Sequence, residues 1–371
     1  MSSEPFFNSL QEHYNKELPF VAYNKPKSFQ IRALLQKDQT LHKIEDYAES
    51  GFVFSPFDIR KDAIIIPLSM SKTLMTEEDV NLDDFESLKN SNSGDKDKHM
   101  SLVDKGLKAI HNNELEKVVL SRFVDIDIKE PDPLLIFKRL LHTYNSAFVY
   151  CWYHPKVGLW LGATPETLLE IEGNDFSTMA LAGTQQYEGV MDVRWKEKER
   201  NEQQLVADFV TSNLNSVASK LEVSEPETVR AANVLHIKSD IKGRLNEHEN
   251  GLQKLIYALH PTPAVCGLPK IEAMQFILDN EHYNREFYTG FLGELNREVK
   301  IQPRTGKLNI ENRAFTYNKR ASHLFVNLRC MQMQNNKVKI YVGGGITKDS
   351  ISDKEWEETI AKMYTIKSVL S

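Results

Sequence analysis

The sequence is short of cysteine, of long apolar runs and of excess basic charge, and each shortage removes a class of protein. The 371 residues hold three cysteines, Cys151, Cys266 and Cys330, far apart and without Cys-x-x-Cys or Cys/His spacing. A zinc ribbon and a disulfide framework are thereby excluded, and each cysteine reads as a small buried hydrophobe. No apolar stretch approaches the roughly 18 residues of a membrane span. The N-terminal segment lacks the basic and apolar regions of a secretory signal, so the expected compartment is the cytoplasm. Lys and Arg number 46 against 52 Asp and Glu, a formal charge of −6, with no basic stripe interleaved with aromatics. That balance argues against nucleic acid or an anionic membrane as partner. No Gly-x-Gly-x-x-Gly follows a strand, and Gly343–Gly345 lack the Lys-Ser/Thr that would complete a phosphate loop. No internal repeat with a period of roughly 20–50 residues is present.

What is present is a globular composition, 41% hydrophobic and 26% charged. Strand-like runs occur at 52–54, 63–67, 117–128, 147–153, 158–163, 167–173, 175–183, 287–295, 322–333 and 337–345. Helical periodicity predicts helices from Ser101, whose spacing to Asp104 suits a capping box, and over 133–141 with Asp132 as cap and Pro133 in the first turn. Further helices are expected over about 194–221, 252–259, 270–279 and from a Ser352 cap to the C-terminus. Residues 90–99 are polar and low in complexity and read as a mobile loop. Paired strands punctuated by long helices predict an α+β fold with two large, mainly antiparallel sheets flanked by helices. The expected division is 1–99, a half-sheet region of the same compact unit, and 100–371, the catalytic region.

Some residues are out of place. Lys117 enters an apolar strand, on the side of Val119, Ser121 and Phe123, either snorkelling from an edge or held in a pocket. On the helix from 194, Val206, Phe209 and Asn213 fall within about 40° of Glu202, which therefore sits in the apolar stripe. It is either a glutamate of the first turns that water still reaches or a ligand facing a cleft. On the last helix Trp356, Ile360, Met363 and Tyr364 make the apolar face, while Glu358 and Lys362, four apart, read as a solvated ion pair. Glu166 follows Pro165 at a strand end, and residues 260–270 form a rigid loop with two prolines near its start.

Taken together in order, KVVLSR, GATPETLL, LAGT, KERNEQQLV, HPTPAVCGLPK, REFYTGFLGE, LRC, YVGGGI and EWEETIAKM resemble the motifs of the chorismate-utilising enzymes, over roughly residues 100–371. Within that family the likeness is greatest to isochorismate synthases. The resemblance implies two antiparallel sheets wrapped by helices, with the active site between them, in a monomer. It implies Mg²⁺ on Glu202 and Glu358, a choice of ion in keeping with hard carboxylate oxygens. It implies chorismate as substrate, with water added at C2 and the C4 hydroxyl lost. Lys117 would activate the water and Glu166 protonate the leaving hydroxyl, which requires Glu166 to stay protonated and Lys117 to be partly neutral. The second requirement would be helped by burial and nearby positive charge.

By the same resemblance Arg329 clamps one substrate carboxylate. Lys362 and the backbone of Gly343, Gly344 and Gly345 help to hold the other, and Ala182, Gly183 and Thr184 line the ring. His236 matches a histidine near the substrate or is a satisfied structural histidine. Lysine at 117 suits water rather than ammonia as nucleophile, and Ala264 stands where lyases that go on to release pyruvate tend to carry threonine. A salicylate, aminodeoxychorismate or anthranilate synthase is the alternative, and an inactive binding relative the alternative of another class. Menaquinone and siderophore synthesis are the two destinations implied. Gln203 departs from the family's histidine, and residues 295–321 exceed the usual hairpin, reading as a surface excursion in preference to a flap over the site.

Overall fold

A computed structural model describes residues 3–77, 94–128, 131–231, 234–246, 250–301 and 317–370. In chain order the first elements are α1 (Glu4–Asn15), β1 (Phe20–Asn24), β2 (Gln30–Gln36), β3 (His42–Lys43), β4 (Gly51–Ser55), β5 (Ile64–Pro67) and β6 (Ser71–Glu77). Next come α2 (Lys96–His111), β7 (Lys117–Asp127), α3 (Pro133–Thr143), β8 (Phe148–His154), β9 (Gly158–Thr164), β10 (Thr167–Glu172), β11 (Asp175–Gln186) and α4 (Glu197–Leu214). They are followed by β12 (Ala218–Val223), β13 (Glu227–Ala231), β14 (Val234–Leu245), α5 (Gly251–Leu259), β15 (Gly267–Leu268) and α6 (Lys270–Asn280). The chain closes with β16 (Phe291–Ile301), β17 (Tyr317–Val326), β18 (Cys330–Gln334), β19 (Lys337–Ile346) and α7 (Ser352–Lys367).

The fold is α+β. A nine-stranded sheet runs β15-β7-β19-β18-β9-β8-β1-β2-β6, and a ten-stranded sheet runs β12-β14-β11-β10-β17-β16-β4-β5-β3, with β13 also on β14. Their facing sides bury an aromatic layer that includes Tyr23, Phe52, Phe54, Phe148, Trp152, Trp160 and Phe325. The period of two along β8 explains how one apolar run serves two layers. Phe148, Tyr150 and Trp152 point into the aromatic layer, whereas Val149 and Cys151 face the aliphatic cluster of α1 and α3 on the outer side. Asp132 accepts hydrogen bonds from the N–H groups of Leu134 and Leu135, each at 3.0 Å, so α3 begins where its cap and proline predict.

Several boundaries differ from the sequence reading. Asp95, not Ser101, caps α2, accepting from the Lys98 N–H at 3.1 Å; residues 96–99 of the expected loop are therefore helical, and 90–93 lie outside the described residues. The long helix stops at Leu214, and the alternating segment 218–223 pairs with β14 as an edge strand. Residues 287–290 form a turn before β16. Ser352 is the first residue of α7 rather than its cap, and its hydroxyl donates to Asp104 on α2 instead. Tyr364, expected on the buried face, is 53% exposed. Residues 295–301 and 317–321 are arms of the β16–β17 hairpin, exposed at Glu298 and Val299, and 302–316 lie outside the described residues.

The run 322–333, read as one strand, is two strands in different sheets. Asn327–Arg329 cross between β17 and β18 without glycine or proline. The Asn327 side chain does the work, accepting from Tyr150 OH at 2.6 Å and donating to Phe287 O at 2.9 Å. Thr164–Glu166 make a second crossing, from β9 to β10, and the two are tied by the Val326 N–H donating to Glu166 O at 3.0 Å.

Phe148 stacks on Phe325 across the sheets, with centroids 4.1 Å apart and planes at 14°. Phe148→Ala is expected to cost about 3–5 kcal/mol of stability, read by urea unfolding, because the rigid layer cannot collapse into the void.

Candidate active site

At one end of the sandwich the sheets part around a cleft of about 820 Å³, mouth included. Glu166, Ala182, Gly183, Thr184, Glu202, His236, Ala264, Arg329, Gly343, Gly344, Gly345, Glu358 and Lys362 all line it. Lys117 does not. It is fully buried, with its ammonium 2.9 Å from Glu202 Oε1 at an angle outside hydrogen-bond geometry. A Cβ on Gly345 would lie 3.1 Å from Lys117 Cε and 2.6 Å from Glu202 Oε1, so glycine is what lets β19 pass this pair. The nearest charge to Lys117 is thus negative, opposite in sign to the expectation.

Three lysine–glutamate pairs lie at and behind the cleft lining. Besides Lys117 with Glu202, Lys198 on α4 meets Glu355 on α7 at 3.0 Å, and Lys362 meets Glu358 within α7 at 2.6 Å. Lys362 also donates to Gly343 O at 3.0 Å. The Glu358–Lys362 pair read as solvated therefore faces the cleft. Burial pushes the Glu202 carboxyl up, but Lys117, Lys362 and Lys198 outweigh it and hold the group below its ordinary value. Glu355 is the converse: burial and then Glu358 raise its pKa despite Lys198.

Glu166 stands on the β9–β10 crossing. Burial raises its pKa to about 7, against the opposing pull of Lys117, Arg329 and Lys362. Burial is the cause, and its charged neighbours are positive. Arg329 stands on the other crossing with φ of 47°. His236 on β14 lies 2.9 Å through Nδ1 from Gly183 O and 3.3 Å through Nε2 from Arg329 Nη2. A carbonyl only accepts and a guanidinium only donates, so Nδ1 carries the proton and Nε2 its lone pair. Burial, then Arg329, lowers the histidine to about 3, which keeps it neutral. Ala182–Thr184 lie at a bulge in β11, where Gly183 has φ of 71° and packs against Glu199 of α4.

Sequence reasoning missed Glu355 and Lys198. The signal was helical spacing: Glu355, Glu358 and Lys362 stand at i, i+3 and i+7. Gln203, the departure from the family helix, is buried and donates to Ser239 Oγ at 3.0 Å, a structural bond to β14.

Glu355 Oε2 and Glu358 Oε1 lie 3.5 and 3.6 Å from where a Cβ on Gly344 would stand, beside Glu202 at Gly345. Hard carboxylate oxygens around a glycine cradle fit Mg²⁺, which needs only one or two carboxylates and keeps its waters. Among the described residues no three potential ligands close on a single point.

The family model of chorismate binding enzymes matches residues 59–301, and a second model of the same description matches 314–368. The isochorismate synthase EntC of Escherichia coli is 30% identical over 266 residues, 69% of this chain and 62% of that protein. The isochorismate synthase DhbC of Bacillus subtilis is 30% identical over 281 residues, 71% of this chain and 65% of that protein. The chain thus matches under two thirds of these relatives' length. A crystal structure of DhbC from Bacillus anthracis superposes with a TM-score of 0.76 at 23% identity, covering 98% of this chain and 99% of that one. Anthranilate synthase component I from Streptococcus pneumoniae gives 0.64 at 18%, covering 94% and 92%. No helix among the described residues is long and apolar enough to cross a membrane. With its motifs gathered on one cleft and the family model spanning most of its length, the chain belongs to the chorismate binding enzymes.

Proposed function

We propose that the protein is an isochorismate synthase. The observation that carries this is Glu166, a buried carboxyl raised to about 7 on the cleft wall, together with the fully buried Lys117 behind Glu202 of the same cleft. An acid on the cleft wall and a base behind Glu202 suit a displacement that neither performs alone. The Glu166 carboxyl gives its proton to the C4 hydroxyl, which leaves as water. Lys117 takes a proton from the water whose oxygen bonds to C2. The ring double bonds shift between the two carbons, so one water enters, one leaves, and the product is an isomer. Arg329, oriented by neutral His236, forks onto one substrate carboxylate. Glu202 and Glu358 would hold Mg²⁺, which when bound supplies positive charge for the other carboxylate. The identities of EntC and DhbC support water chemistry in preference to a lyase, as does Ala264 on the cleft wall.

Incubation with chorismate and Mg²⁺ should yield isochorismate by chromatography with no pyruvate; pyruvate in the same assay would mark a lyase, and no turnover would remove the reading. Lys117→Ala should lower kcat by about 10²–10⁴-fold while circular dichroism stays native, the range for a positioned general base. The acid form of Glu166 exists below its pKa of about 7 and is lost above it. The kcat/KM profile should therefore fall about tenfold per pH unit on that alkaline limb, and Glu166→Gln should abolish the limb with most of the activity.

A further inference from the structure

Where β15 leaves β7 the sheet edge is open, yet its backbone groups are satisfied. β15 pairs only with Lys117 and Val118, and the Val119 N–H donates to Cys266 O at 2.7 Å. Beyond that point an ion pair stands in for the missing strand. Arg285 Nη2 donates to Val119 O at 2.7 Å, and the Ser121 N–H donates to Glu281 Oε1 at 2.7 Å. Arg285 and Glu281 are 3% and 8% exposed and lie four residues apart, just beyond α6.

The guanidinium spends all five of its N–H donors. Two reach Glu281, one from Nε at 2.7 Å and one from Nη2 at 2.5 Å. The others reach Val119 O, Val265 O at 3.0 Å and Thr289 Oγ1 at 3.2 Å. Val119, Val265 and Thr289 are three walls of the cleft, drawn from β7, the rigid 260–268 loop and the turn before β16. The Thr289 N–H in turn donates to Asn327 O at 2.9 Å, on the crossing that carries Arg329. A buried ion pair is weak evidence for stability, since apolar residues of equal volume often hold a fold as well. What such residues cannot do is bind backbone carbonyls from two segments and one hydroxyl at fixed angles.

We propose that the Glu281–Arg285 pair is a positioning device for catalysis, setting the strand of Lys117 against the opposite walls of the cleft. The inference rests on the reading of Lys117 as the base. Its consequence is that the pair acts on turnover more than on substrate binding, because Arg329 and Lys362 lie on other elements.

The test compares the full-length protein with Arg285→Lys, which keeps the charge and loses the fork, and with Glu281→Gln, which keeps the shape and loses the charge. Each is assayed well below its own melting midpoint. Arg285→Lys should lose about 10- to 100-fold in kcat with KM for chorismate within about threefold, the cost of a base displaced by about an ångström. Hydrogen exchange of the peptide 117–123 should speed up in both variants. A folded variant with faster exchange there and wild-type kcat overturns the proposal, as does a variant with unchanged exchange and unchanged kcat. Should Arg285→Lys not fold, Glu281→Gln decides by the same two measurements. Wild-type protein that leaves chorismate unconverted would instead remove the functional reading, and the exchange comparison would still decide whether the pair holds the strand.

Discussion

The site depends on charge held in pairs, from the fully buried Lys117 to the half-buried Glu358 and Lys362. Lys117 comes from β7, Lys198 and Glu202 from α4, and Glu355, Glu358 and Lys362 from α7. α4 packs on β11 of one sheet and α7 on β19 of the other, so the pairs close one end of the sandwich. Removing ions from water is costly, and such pairs return little net stability. Their presence at the cleft, beside Glu166, His236 and Arg329, gathers the charge of the site at one place in the fold. It also explains why the stability of the fold is invested elsewhere, in the aromatic layer between the sheets and the aliphatic layers outside them.

Strands and helices with clear periodicity were legible in the sequence, and so was Glu202, because a carboxylate in an apolar stripe contradicts its surroundings. Glu355 was legible only through its helical spacing to Glu358 and Lys362. In the acidic run 355–358 each glutamate looks solvated, and only the neighbouring α4 makes one of them buried. The crossing at 327–329 was hidden, since an asparagine side chain supplies the turn that glycine or proline would have announced. The start of α2 was masked by polar composition, although Asp95 is an ordinary cap. The assignment of roles to Lys117, Glu166 and Arg329 came from the ordered motifs, not from periodicity. What no pattern could supply was that Lys117 stands behind Glu202 instead of on the cleft wall.

His236 has a similar character. Its position in a short motif left it open between a ligand and a structural group. The hydrogen bonds make it an intermediary: its proton is fixed on Gly183 and its lone pair faces the guanidinium. A histidine so placed tunes the direction of Arg329 without exchanging a proton across the neutral range.

The two crossings have a consequence for how this architecture can vary. Glu166 and Arg329 stand on two short links that carry the chain directly from a strand of one sheet to a strand of the other, and these two links are bonded to each other. A residue inserted in either would shift the pleat of the strand beyond it, turning its aromatic side outward. Length change at these points is therefore coupled to loss of the sandwich itself. The chemistry can be altered there by substitution but not by insertion, whereas the outer hairpins and helix connections are free to lengthen.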